Sequence, residues 1–354
     1  MAIFRSKSVP AFGTSVKAAA GGAGKPGALQ SLVVGAATAR ALSIPTISRA
    51  RDLIVSMVAS LDLRTYRLDW DATAERYVKR YVPGESWMTR PDPNCTRNFM
   101  LANLAQDLMM HGRGFWYVTS RYQGTGFPAT FTWLPADQVT TTDQAGPEWF
   151  GPSNEIQFNG VDIPADNVIQ FLSPVNGLLW QGQRSIDIAY RLDEAARRFA
   201  NSEIAAGILQ QVDGEPLSGD ELSELASAWA DARRNRAIGA LNSNVKWIES
   251  QATPDKVQML ESRQYQALEL ARVANIPPYL VGVDVGGYTY QNIDTARRDL
   301  FLFGAKPIVD CIEATLSGDN VIAHGRHIEL DVDAFLNEAN IAPESEVPDA
   351  QNDR

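Results

Sequence analysis

The sequence predicts an α+β chain in two parts, a mixed helix-and-strand half to about residue 183 and a mostly helical half after it. Three observations carry this. The hydrophobic period is helical over 45–61 and 97–111, changes to alternation from Phe115 onward, and is helical again over two long stretches, 184–206 and 253–276. Asn159-Gly160 stands between two short alternating runs, which marks a tight hairpin. The two long stretches are matched in length, roughly 35 Å each at 1.5 Å per residue. About fifty residues separate them, which predicts an antiparallel pair with a small subdomain at its far end.

In chain order, 1–31 reads as a flexible arm, Gly- and Ala-rich over 13–31 with no hydrophobic period. Its GGAGKPG run misses the phosphate-loop spacing, because Pro26 follows Lys25 and no strand precedes it. A helix over 45–61 places Ile47, Ala50, Ile54, Met57, Val58 and Leu61 on one face. The strand LDLRTYRLD follows. Thr96 caps a helix over 97–111 that turns Met100, Leu101, Leu104 and Leu108 inward, and Gly112 stops it. Four strand patterns come next: GFWYVTSRY, ATFTWLP, EIQFNGVDI and NVIQFLS. Gly124-Thr-Gly126 is a turn between the first two.

In the second half, Asp187, Arg191, Glu194 and Arg198 form an alternating-charge ladder along the Ala-rich 184–206 helix. Ser218 and Glu221 have capping-box spacing. The helix they open carries Leu222, Leu225, Trp229 and Ala232 on one face, with Arg233, Arg234 and Arg236 at its end. NSNVKWIES reads as a strand. Thr253-Pro254 starts the second long helix, and Pro277-Pro278 are expected to end it. Gly282, Gly286 and Gly287 free the chain before Asn292 caps a third helix, which should kink at Pro307. A strand, RHIELDVDAFL, and a disordered acidic tail over 336–354 close the reading.

Composition excludes several functions. Acidic residues number 42 against 32 basic, a net charge of −10, which argues against tight wrapping of nucleic acid. It is compatible with a protein that DNA passes without sticking. The two cysteines, Cys95 and Cys311, have neither metal nor disulfide-framework spacing and fit a reducing compartment. No apolar run is long enough to span a membrane, and the N-terminus lacks the apolar core of a secretory signal. His324 and His327 fall on a turn and a strand, without a helical glutamate base. His111 sits at a helix C-terminus, where positive charge complements the dipole. No nucleophile, metal or cofactor motif accompanies these residues, so no catalytic activity and no cofactor are expected.

The order of five stretches resembles the portal proteins of long-tailed double-stranded DNA bacteriophages over roughly residues 35–335. These are ISRARDLIVSMVASLDLRTYR, PDPNCTRNFMLANLAQDLMMHGRGFWYV, NVIQFLSPVNGLLWQGQRSI, QMLESRQYQALELARVANIPPYLVG with YTYQN, and FLFGAKPIVDCIEATL. Gln170 and the Gln183-Arg184-Ser185 segment depart from many relatives, and the short C-terminal region implies a reduced or absent crown. The resemblance implies a wing over 32–183 and 292–335, a helical stem over 184–206 and 253–280, and a small α/β clip over 207–252. It implies a tunnel loop over 281–291, in which Val283, Val285, Tyr288, Tyr290 and Gln291 are the candidates to face DNA. Leu225, Trp229, Arg233, Arg234 and Arg236 become the candidates for docking terminase or adaptor.

The same resemblance implies a homo-oligomeric ring of about twelve subunits at a capsid vertex, so a virion location, assembled in the host cytoplasm. The major capsid protein, terminase and a head–tail adaptor are its implied partners, with DNA passing through. About twelve copies at −10 each would carry about −120, which lowers affinity for phosphate and lets a duplex slide.

Overall fold

The computed structural model describes residues 7–8, 26–144, 151–200, 207–234, 244–249, 259–283 and 293–337. It opens with the short strand β1 (Lys7–Ser8) and helix α1 (Pro26–Leu42). The expected arm therefore gives way to helix five residues before its predicted end. Pro26 has its φ preset for a first helical turn, and the Ala-rich run GAATARAL has high helix propensity despite lacking a hydrophobic period. Helix α2 (Pro45–Ser60) buries Ile47, Ala50, Ile54, Met57 and Val58, and Leu61 just beyond it is buried too.

Strands β2 (Leu63–Asp71) and β3 (Arg76–Val82) form a hairpin. The sequence reading lacked β3 because its turn contains neither Gly nor Asn. Asp71 Oδ1 instead accepts from the Thr73 and Ala74 amides at 2.8 and 3.2 Å, and Glu75 takes φ 49°. In helix α3 (Arg97–His111), Thr96 Oγ1 accepts from the Phe99 amide at 3.2 Å, and Gly112 closes the end at φ 73°.

Strand β4 (Arg113–Arg121) is the centre of a sheet. It pairs with β5 (Pro128–Leu134) on one side and with β1 and β9 (Val168–Leu172) on the other, all antiparallel. Between β5 and β9 lies a smaller sheet of β6 (Val139–Thr141), β7 (Glu155–Phe158) and β8 (Val161–Pro164). Asn159 and Gly160 turn β7 into β8 with φ 49° and 75°, both positive as a two-residue hairpin of this type requires. The deepest core is aromatic: Trp87 and Trp116 each meet Phe131, at ring-centroid distances of 5.1 and 5.4 Å, and Trp116 meets Phe171 at 5.3 Å.

After a short helix α4 (Leu178–Gln181) come α5 (Gln183–Ala200), β10 (Gly207–Gln211), α6 (Gly219–Arg234), β11 (Val245–Glu249) and α7 (Met259–Val273). Strand β10, absent from the sequence reading, pairs antiparallel with β11 over five residues. The Ala-rich run before it hid the change of period.

Helix α8 (Ile293–Asp299), a π-helical turn over Leu300–Ala305 and α9 (Lys306–Leu316) follow one another without a break, so the helix expected here is present and its irregularity is the π-helical turn just before Pro307. Strand β12 (Arg326–Leu330) joins β2. The strand reading of DVDAFL is corrected: Asp331 Oδ1 accepts from the Ala334 amide at 3.3 Å and starts helix α10 (Val332–Asn337). That helix also runs two residues into the stretch read as a disordered tail; 338–354 lies outside the described residues.

The chain forms two compact units, 1–186 with 268–354, and 187–267.

Candidate functional site

Helices α5 and α7 carry the chain out of the larger unit and back into it. A side chain at Gly182, just ahead of α5, would lie 3.0 Å from Val273 Cγ1 at the end of α7. Ten residues along α5, Asp193 pairs with Arg263 at 2.8 Å, ten residues back along α7. The two helices thus run antiparallel. Of the expected ladder, Arg191 pairs with Asp187 at 2.7 Å, while Glu194 meets Arg197 at 3.2 Å and Arg198 at 3.8 Å. These are exposed pairs, screened by solvent, and they add little to stability.

Within 187–267, Ser218 and Glu221 exchange the expected capping-box bonds: the Ser218 amide donates to Glu221 Oε2 at 2.8 Å and the Glu221 amide to Ser218 Oγ at 3.4 Å. The apolar face of α6 is less buried than the spacing implied. Leu225 and Trp229 are half-buried, and Leu222 is exposed. Arg233 and Arg234 fall on the last turn of α6, and Arg236 lies outside the described residues.

The end of α7 corrects the expectation that Pro277 and Pro278 stop it. Asn275 takes the left-handed conformation at φ 53°. Its amide donates to the Arg272 carbonyl, and the Ile276 amide to the Ala271 carbonyl, both at 3.0 Å. These two bonds are a Schellman ending, completed two residues before the first proline by the one residue type besides glycine that takes it readily. Gly282 then adopts φ 80°. Of the loop candidates Val283 is half-buried at its near end; Val285, Tyr288, Tyr290 and Gln291 lie outside the described residues, as does Asn292.

Both sides of this loop are tied together by residues the sequence reading did not single out. In an α-helix the amide of residue 307 would donate to the carbonyl of residue 303, but Pro307 has no N–H. Asn275 Nδ2 donates to that Phe303 carbonyl instead. One turn earlier, Tyr279 Oη donates to Asp299 Oδ2 at 2.7 Å. The available signal was an asparagine two residues before a proline, at the end of a helical pattern.

Asn275→Gly keeps the left-handed helix end and removes the donor, so we expect a loss of about 1 kcal/mol. In a Pro307→Ala background the loss should shrink towards zero, because the restored amide satisfies Phe303. Urea unfolding of the four proteins measures this, and additive effects would contradict it.

A second polar cluster lies at the end of α3. A cavity of about 630 Å³ between α1, α3 and β6 is lined in part by His111, Arg113, Asp137 and Thr140. Burial, and then the Arg113 charge, push the His111 pKa down to about 4. The ring is therefore neutral at pH 7 and does not supply the positive helix end expected of it. Burial pushes Asp107 up to about 7, although its Oδ2 accepts from Trp133 Nε1 at 2.8 Å and from the Ala136 amide at 3.1 Å. His324 pairs with Asp319 at 3.1 Å, while His327 stacks on Tyr66. Among the described residues no group of three or more His, Cys, Asp or Glu is placed to hold a metal ion, and no helix is long and apolar enough to cross a membrane.

Residues 45–344 match the family described as phage portal protein. The chain is 26% identical over 172 residues to a probable portal protein of Streptomyces phage phiC31; the match covers 47% of this chain but only 36% of that longer protein. Among solved structures it is similar to an HK97 family phage portal protein from Corynebacterium diphtheriae, with a TM-score of 0.66, 24% identity, and coverage of 86% of this chain and 96% of that one. It is also similar to a chain in the virion of a native gene transfer agent particle (TM-score 0.59, 15% identity, 89% and 91% coverage). A chain in the neck of such a particle, computed with C12 symmetry, gives a TM-score of 0.59 at 15% identity, with 90% and 87% coverage.

Proposed function

The chain belongs to the phage portal protein family, and on that premise we propose that it assembles a ring of about twelve copies at one capsid vertex, forming the channel for DNA packaging and ejection. In this reading 184–206 and 253–280 line the channel as a stem. The 207–252 segment is the clip, offering Leu225, Trp229 and the Arg233, Arg234 and Arg236 cluster to terminase and then to a head–tail adaptor. Residues 281–291 form the tunnel loop, and the remainder of the larger unit is the wing that meets the major capsid protein. The protein does no catalysis; the motor chemistry belongs to its partner.

The observation that carries the reading is the antiparallel α5–α7 pair. It takes the chain into the compact 187–267 unit and brings it back to a doubly tied turn, from which the loop leaves. A half-buried Leu225 and Trp229 on α6 fit a surface that is completed by another protein.

Deleting residues 283–289 tests the loop assignment. The expected result is soluble protein with unchanged ring assembly and a severalfold drop in packaged or retained DNA, because the tie points Asn275–Phe303 and Tyr279–Asp299 lie outside the deletion. Unfolded or aggregated protein, or normal packaging, would contradict it.

A further inference from the structure

One row of residues is buried along the whole helical run 293–316. Ala296, Leu300, Gly304, Ile308, Ile312 and Leu316 all lie inside, four residues apart each time. An unbroken α-helix would carry this row around itself. Four residues turn it through about 400°, so each step drifts by about 40° and the whole row by about 200°. Ala296 would then point away from Leu316, whereas a core-facing stripe is about 100° wide. The π-helical turn makes up the difference. The Lys306 amide, which closes it, donates to the Phe301 carbonyl, five residues back instead of four, so the turn holds one extra residue. That residue takes back about 100° and brings Ala296 and Leu300 to the core.

The same rotation decides what α8 presents to Tyr279. With the extra residue in place, Asp299 Oδ2 accepts from Tyr279 Oη at 2.7 Å. Without it α8 would turn by about 100° and slide by about 1.5 Å, one residue of α-helix. Leu300 would then stand where Asp299 does and offer Tyr279 no acceptor. Arg297 would stand in the buried place of Ala296, and burying that guanidinium disfavours the slip. The two ties grip the start of the turn. Asp299 is the residue before it, and Phe303, whose carbonyl accepts from Asn275 Nδ2, lies within it. Tyr279 stands three residues ahead of Gly282, where the chain turns into the loop at φ 80°.

We infer that the π-helical turn sets the rotational phase of α8 for the loop, and that Asp299 is a positioning residue of that loop. The extra residue aims Asp299 at Tyr279, and the bond between them fixes the direction in which the chain leaves for 281–291 and returns from it. The inference rests on the reading of 281–291 as the DNA-facing loop and adds what orients it.

The test uses the full chain and combines hydrogen exchange at the α8 amides with DNA retention in assembled particles. Tyr279→Phe should leave ring assembly unchanged and speed exchange over 296–299 roughly tenfold or more, as for a lost bond to a charged group. It should also lower DNA retention severalfold. Deleting Leu302, which is 48% exposed, removes the extra residue without emptying the core. A structure of that variant should show α-helix in place of the π turn, with Tyr279 still bonded to Asp299. It should assemble and retain DNA like the parent, and Tyr279→Phe should cost it as much as it costs the parent. An unfolded Leu302 deletion, one that keeps the π turn, or one in which Tyr279→Phe has no effect would overturn the phase assignment. Faster exchange in Tyr279→Phe with parental DNA retention would overturn the positioning role and leave the loop reading standing. Parental retention after deletion of 283–289 would overturn the loop reading and the positioning role together, while the exchange and structural results still decide the phase assignment.

Discussion

Replacing Gly177 by alanine lowers the stability of the larger unit by about 3 kcal/mol or more, and replacing it by valine prevents folding. A Cβ at Gly177 would sit 2.5 Å from the Met110 carbonyl oxygen and 2.6 Å from the His111 Cα, both backbone atoms that cannot rotate aside. The approach is mutual: a Cβ on Gly112, itself at φ 73°, would lie 2.8 Å from the Gly177 amide nitrogen. Two glycines thus let the end of α3 and the start of α4 touch backbone to backbone. The Gly177 carbonyl then accepts from the Trp180 and Gln181 amides at 3.0 and 3.1 Å, so the same residue starts α4. Gly126→Ala is the control. Its φ is 76°, but no atom lies within 4 Å of the added Cβ, so only a left-handed-conformation cost of about 1 kcal/mol is expected. Urea unfolding of the three variants gives the ranking; a Gly177→Ala protein as stable as Gly126→Ala would contradict the account.

The second large effect is a pH dependence hidden by two opposing groups. Asp107 titrates near 7 in the fold and near 3.8 unfolded, so between those values the folded state holds more protons and stability falls as pH rises. His111 titrates near 4 in the fold and near 6.5 unfolded, so the unfolded state holds more protons there and stability rises with pH. Their neighbours act on both: Arg113 pulls both values down, and Asp137 pushes Asp107 up. Between about pH 4 and 6.5 the two slopes offset each other. Asp107→Asn removes the falling slope, so its stability relative to the parent should climb from pH 4 to pH 7, by up to about 4 kcal/mol at 1.36 kcal/mol per pKa unit. His111→Gln should show the opposite trend up to about pH 6.5. Chemical unfolding at half-unit pH steps measures both differences, and parallel curves for variant and parent would contradict the assignment.

Much of the fold was legible because burial and period agree locally. The inward residues of α2 and α3, the Thr96 cap, the Asn159-Gly160 turn and the Ser218–Glu221 box were each specified by a few adjacent residues. What the sequence hid was set at a distance. Strand β3 depends on a turn built by the Asp71 side chain, and the π-helical turn goes with a carbonyl left by Pro307 that is satisfied from Asn275, 28 residues earlier in sequence. Asn275 resembles any polar residue near a helix end until the chain folds back on it. His111 shows the same limit for electrostatics: its place at a helix end suggested a cation, and burial beside Arg113 makes it neutral. The five-stretch resemblance compensated for this, since the order of elements carries family membership even where single residues do not.

Electron microscopy of the purified full-length chain, in negative stain and then vitrified, tests the central claim most directly. The account predicts closed rings with an axial hole and about twelve-fold symmetry, with the 187–267 unit repeated around that axis. Monomers at assembly concentrations, closed shells without a hole, or rings in which α5 and α7 lie away from the axis would contradict it.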